Sequence, residues 1–145
     1  MSLKDEKRVI AVSNVYFKSF DFESTADKDQ YCVYDAEDEN HILEIKVRKK
    51  DYGDVAVEVR KIEALLAKAR ELGKIPYLLV VNDSGYHFVD IRTKFRVETY
   101  DVKKTTDFYS KNNHRKPTEF AVWNFDTLTI PQRNVAAIER KLGYK

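Results

Sequence analysis

The chain is poor in everything that marks a specialised scaffold. Its 145 residues hold one cysteine, Cys32, so an internal disulfide framework is excluded and a reducing compartment is implied. Four glycines and three prolines are too few for a low-complexity or linker segment, and no internal repeat is present. No apolar run approaches the ~20 residues needed to span a bilayer. A dominant charge is also missing. The 26 Lys and Arg against 24 Asp and Glu leave a formal net charge of +2, so any nucleic-acid contact must be a local patch. The opening MSLKDEKR lacks the apolar region of a signal peptide, and a cytoplasmic protein is expected. His41, His87 and His114 have neither ligand spacing nor a Cys partner, which argues against zinc. Glycine-rich phosphate loops, nucleophile elbows and Cys-x-x-Cys pairs are absent, which removes the kinase, triad-hydrolase and zinc-finger readings.

What is present is the composition of one globular domain, residues 1–145, with 43% hydrophobic and 12% aromatic residues. Residues 8–20, RVIAVSNVYFKSF, place Val9, Val12, Tyr16 and Phe20 on a helical face, while their β-branched content suits a strand; the helix is the expectation. QYCVYD reads as a strand, AEDEN as a turn, and HILEIKVR as the antiparallel partner. Asp54 is a good N-cap, and Val55, Val59, Ile62, Leu66 and Ala69 form a 3.6-residue stripe that ends at Gly73 and Pro76. PYLLVV, the turn NDSG and YHFVDI predict two further strands. Residues 95–125 predict more strands around a long polar loop, and NVAAIERKLG predicts a short helix. The order predicts a mixed α/β (α+β) domain with a central mixed β-sheet flanked by helices.

The stretch HILEIKVRKK concentrates charge. Leu43, Ile45 and Val47 alternate with Glu44, Lys46 and Arg48, which predicts one buried face and a charged face turned outward. A Glu-x-Lys spacing alone is weak, because Glu139-Arg140-Lys141 repeats it on a predicted helix. Its context is stronger, since the acidic cluster TADKDQY introduces the preceding strand. Carboxylates from two adjacent strands suit a hard divalent cation, which takes oxygen ligands and keeps waters and substrate phosphate oxygens. Lys46 lies about 6.6 Å beyond Glu44 on the same face at strand rise. It can there meet the negative charge that develops on a phosphodiester.

Asp29…Glu44-Ile45-Lys46, followed by a helix and YLLVV, resembles the PD-(D/E)xK, restriction-endonuclease-like nuclease superfamily over residues 24–91. The resemblance implies a Mg²⁺ (or Mn²⁺)-dependent nuclease hydrolysing DNA phosphodiester bonds, most simply an endonuclease, and a homodimer that reaches both strands. It assigns catalysis to Asp29, Glu44 and Lys46, and the metal to Asp29, Glu44 and the Ile45 carbonyl. Asp35 is the alternative aspartate. A tight EDEN turn would put Asp35 opposite residues 40–42, at the hairpin end, which favours Asp29. Glu23, Arg48 and Lys61 are candidate supporting residues. Lys49, Lys50, Arg115 and Lys116 are candidate DNA contacts through phosphates. A non-catalytic nucleic-acid-binding or protein-interaction module on the same fold is the rival reading.

Overall fold

The computed structural model of the chain describes residues 3–26, 32–103, 115–125 and 128–144. In chain order the elements are α1 (Leu3–Tyr16), β1 (Glu23–Ser24), β2 (Ala36–Glu37), β3 (His41–Val47), β4 (Asp54–Glu58), α2 (Val59–Leu72), β5 (Ile75–Asn82), β6 (Gly85–Asp90), β7 (Arg96–Lys103), β8 (Arg115–Asn124), β9 (Leu128–Pro131) and α3 (Gln132–Lys141). A six-stranded sheet runs β1-β2-β3-β5-β6-β9, and a three-stranded sheet runs β4-β8-β7. The large sheet is mixed: β3 and β5 pair in parallel, whereas β2 with β3, β5 with β6 and β6 with β9 are antiparallel. The fold is therefore α+β, with a central mixed sheet and three helices.

Because β3 and β5 are parallel, the chain must cross over between them, and β4 and α2 form that crossover. Residues 54–58 depart from the expected helix. Asp54 is no N-cap; it opens β4, and Val55 and Val57 bury themselves at strand spacing opposite Trp123 and Ala121. The apolar alternation of DVAVE outweighs its helical stripe once β8 supplies a partner. The helix starts at Val59, after Glu58 with φ −51° and ψ 132°, and buries Ile62, Leu65 and Ala69. It ends as expected at Gly73, whose φ of 66° is the left-handed conformation that glycine adopts freely. The turn between β5 and β6 ends at Gly85, where a Cβ would overlap the Ile130 carbonyl oxygen of β9.

Two apolar clusters cover the two faces of the large sheet. Val9, Val12, Phe20, Leu43, Ile45, Phe88 and Val135 gather on the side of α1 and α3. Ile42, Val55, Val57, Ile62, Leu65, Leu78, Val80 and Trp123 gather on the side of α2 and the small sheet. Strand β3 thus contributes odd positions to one cluster and even positions to the other. This corrects the expectation of an outward charged row. Glu44 is 9% exposed, whereas Val47 is 53% exposed. The even face of β3 is covered by α2 and β4, which bury Glu44 and leave Lys46 and Arg48 half-buried.

Candidate metal centre

The hairpin that leads into β3 sets where Asp35 lies relative to Glu44. Asp38 accepts the backbone N–H groups of Asn40 and His41 at 2.9 and 2.7 Å, a side-chain turn that fixes the reversal at residues 38–40. The resulting register pairs Ala36 with Leu43 and Glu37 with Ile42. Asp35 therefore continues the ladder beside Glu44, rather than opposite residues 40–42 as the tight turn predicted. Its amide donates to the Leu43 carbonyl at 2.8 Å. Its carboxylate accepts the Ile45 N–H at 2.7 Å, taking the place of a strand carbonyl. That substitution accounts for the short β2: the expected strand over QYCVYD is reduced, among its described residues, to bends before Ala36.

In extended backbone the N–H and C=O of one residue leave the strand on the same edge. The Ile45 carbonyl therefore faces the Asp35 edge, beyond the end of β2. Glu44 reaches the other way, to α2, where Lys61 Nζ lies 2.6 Å from its Oε1. Asp35, Glu44 and Lys61 line one cleft of about 380 Å³, with Cys32, Val33, Ala64 and Leu65 as its remaining walls.

The electrostatics of the pair follow from burial. Desolvation pushes the Asp35 carboxyl above its ordinary value, against the opposing pull of the Ile45 amide and the Lys61 charge. Desolvation likewise raises Glu44; the Lys61 hydrogen bond lowers it, and the charges of Asp35 and Glu6 raise it again. Glu6, in the acidic first turn of α1, is an acid that the sequence reading passed over. Its Oε1 accepts the Ser24 hydroxyl at 3.0 Å, which ties α1 to β1 near the cleft. The only trace of it in the sequence was the acidic first turn of a helix, a common feature.

Lys46 lies on the same face as Glu44 but is held by β4, donating to the Ala56 carbonyl at 2.8 Å. Arg48 Nη2 shares that carbonyl at 3.2 Å, and Arg48 Nε is buried without a partner among the described residues. Burial, Arg48 and Lys61 together bring the Lys46 ammonium down to about 8. Lys46 therefore gives up its proton far more readily than an exposed lysine.

The remaining candidates are dispersed. Asp29 lies outside the described residues. Glu23 sits on β1 and lines a separate cleft with Lys7, Asn14 and Phe22. Lys49 and Lys50 are exposed just beyond β3. The backbone of Arg115 and Lys116 opens β8, paired with Lys103 and Val102. Among the described residues no three His, Cys, Asp or Glu side chains gather as a ready metal cage. The donor groups that line the cleft are two carboxylates, Asp35 and Glu44, and the Ile45 carbonyl leaves β3 on the Asp35 edge. That fits Mg²⁺ or Mn²⁺, which bind through one or two carboxylates and complete their shells with water and phosphate. No helix among the described residues is long and apolar enough to cross a membrane.

No family model matches the chain, and no curated protein does. Among solved structures the chain is similar to the Holliday junction resolvase Hjc of the archaeal hyperthermophile Archaeoglobus fulgidus, at 15% identity over 97% of this chain and 98% of that one, with a TM-score of 0.48.

Proposed function

We propose that the chain is a Mg²⁺- or Mn²⁺-dependent nuclease that hydrolyses DNA phosphodiester bonds, acting as an endonuclease. The observation that carries this reading is the pairing of Asp35 with Glu44 in one cleft, both carboxyls raised by burial, with Lys46 next along the same face. A buried Glu44 beside a half-buried Asp35 carries a desolvation cost that Lys61 offsets in part and that a further cation would offset more. Asp35, Glu44 and the Ile45 carbonyl would hold that cation, which when bound supplies Lewis-acid polarisation of the scissile phosphate. Lys46 has a proton affinity near neutrality, suited to taking a proton from the attacking water or standing as a cation beside the developing oxyanion. Arg48 positions Lys46 through the shared Ala56 carbonyl. Lys49 and Lys50, exposed just beyond β3, would contact phosphates.

The test is cleavage of duplex, junction and single-stranded DNA with Mg²⁺ or Mn²⁺, using wild type, Glu44→Ala, Asp35→Ala and Asp29→Ala. Wild type is expected to cut, and Glu44→Ala to lose both cleavage and Mn²⁺ binding by titration calorimetry. Asp35→Ala is expected to behave like Glu44→Ala, with Asp29→Ala still active; the reverse result moves the ligand to Asp29. A wild type that cuts none of the substrates makes the non-catalytic binding module the better reading.

A further inference from the structure

The interior face of β3 has three cations in reach, and they are used differently. Lys46 and Arg48 both point at the Ala56 carbonyl of β4. Lys61 alone is aimed into the acidic cleft, with Nζ 2.6 Å from Glu44 Oε1. Its charge also draws down the Asp35 carboxyl. The Lys61 side chain is 50% exposed, whereas that of Glu44 is 11% exposed. The pair therefore joins a fixed buried anion to a cation on a flexible stem that starts in solvent.

We propose that Lys61 is a resident counter-ion that holds the cation position on Glu44 and must swing away before a divalent ion can bind there. The inference rests on the nuclease reading above, because it concerns the same carboxylates. The chemistry is competition for one oxygen. An ammonium and a divalent ion both seek the Glu44 Oε1 lone pairs, and their mutual repulsion forbids joint occupancy at contact distance. A lysine can yield because its four-carbon stem has many rotamers and its head is well solvated when released. An arginine in its place would make a bidentate, more persistent pair with the carboxylate. Without metal the lysine limits the repulsion between Asp35 and Glu44. With metal it is set free at the mouth of the cleft, where a phosphate would approach.

The test measures metal binding rather than activity. Mn²⁺ is titrated calorimetrically into wild type, Lys61→Gln, Lys61→Arg and Glu44→Gln. Removing a half-exposed ion pair should tighten Mn²⁺ binding on the order of threefold to tenfold in Lys61→Gln. Lys61→Arg should bind no more tightly than wild type. In parallel, wild type is labelled with an amine-reactive reagent and read by peptide mass spectrometry. Mn²⁺ should speed labelling at Lys61 and leave Lys68, ion-paired to Glu71 at 3.4 Å on the same helix, unchanged. Equal or weaker Mn²⁺ binding by Lys61→Gln, or a labelling rate at Lys61 that Mn²⁺ leaves unchanged or slows, overturns the counter-ion role. Glu44→Gln separates the two failures: if it binds Mn²⁺ as wild type does, the metal reading itself falls, and the inference with it.

Discussion

Two acids flank the start of β3, and the fold treats them in opposite ways. Asp38, with its side chain 5% exposed, accepts the amides of Asp21, Asn40 and His41 and the His41 ring nitrogen at 2.8 Å. Burial pushes its carboxyl up, but these donors outweigh it, and the group ends below the usual range. Glu44, six positions on, is buried to a similar degree and receives one lysine. Its carboxyl ends above the usual range. An anion that shapes a turn is given every donor it can use. An anion kept short of donors is a place where a further cation is still favourable.

The comparison can be broken at four points, taken from the largest effect to the smallest. Lys46→Ala removes the one charged group assigned to the transition state. Cleavage should fall on the order of 10²–10³-fold or more. DNA affinity, measured by fluorescence anisotropy across a salt series, should stay near that of wild type, since many phosphate contacts carry it. Wild-type cleavage rates in Lys46→Ala would remove the lysine from the mechanism.

Asp38→Asn should destabilise the protein by about 1–2 kcal/mol by urea denaturation at neutral pH, through loss of charge-assisted hydrogen bonds. Mn²⁺ binding should not change. The pH dependence follows from linkage. A carboxyl depressed in the folded state contributes stability that is full above its unfolded value of about 4 and is lost as pH falls through the folded value. The gap between Asp38→Asn and wild type should therefore close in acid. A gap that persists there would mean that the turn depends on shape rather than charge.

Glu44→Gln should behave in the opposite sense. A raised folded carboxyl means that ionisation costs stability, in full above the folded value and not at all below the unfolded value of about 4.3. In metal-free protein at pH 7 the variant should be slightly more stable than wild type, by at most about 1 kcal/mol because Lys61 offsets part of the cost. That gain should vanish toward pH 4 and reverse when wild type is given Mn²⁺. A destabilised Glu44→Gln at pH 7 without metal would show that the Lys61 pair is a net structural contact.

The smallest effect belongs to Lys141→Ala. Glu139, Arg140 and Lys141 repeat the acid-x-lysine spacing on α3, where Glu139 pairs with Arg8 of α1. Neither cleavage nor Mn²⁺ binding should move, and a contaminating nuclease would be exposed by its survival in Lys46→Ala.

The sequence was legible where local chemistry and tertiary structure agree. β5, the NDSG turn and β6 appear as expected, because a buried strand and a glycine turn state themselves locally. The helix that begins the chain and the one that ends it are both present, with the first shifted toward the N-terminus. Glu44 and Lys46 share a face of β3 as period-two alternation predicts, but spacing alone did not single them out, since Glu139 to Lys141 repeats it on α3. What was hidden depended on distant partners. DVAVE is a strand because β8, more than 55 residues further on, pairs with it. The charged row of β3 faces inward because β4 and α2 roof it, and period-two alternation cannot say how many faces are covered. Asp35 sits beside Glu44 because Asp38 widens the reversal, a side-chain bond that residue counting across EDEN does not include.

Among the described residues, the polar side chains of β3's covered face and of the cleft lie between residue 35 and residue 61, with Glu6 acting on Glu44 only through its charge, whereas later segments such as β5 and β8 serve as walls. A wall position needs only an apolar side chain of suitable volume, and many substitutions satisfy that at once. Divergence is therefore expected to be uneven: rapid drift over β5 to α3, and slow change at Asp35, Glu44, Lys46 and Lys61. Two chains could share this centre while agreeing at few positions elsewhere, and kinship would show in a short interval long after it had faded from the rest.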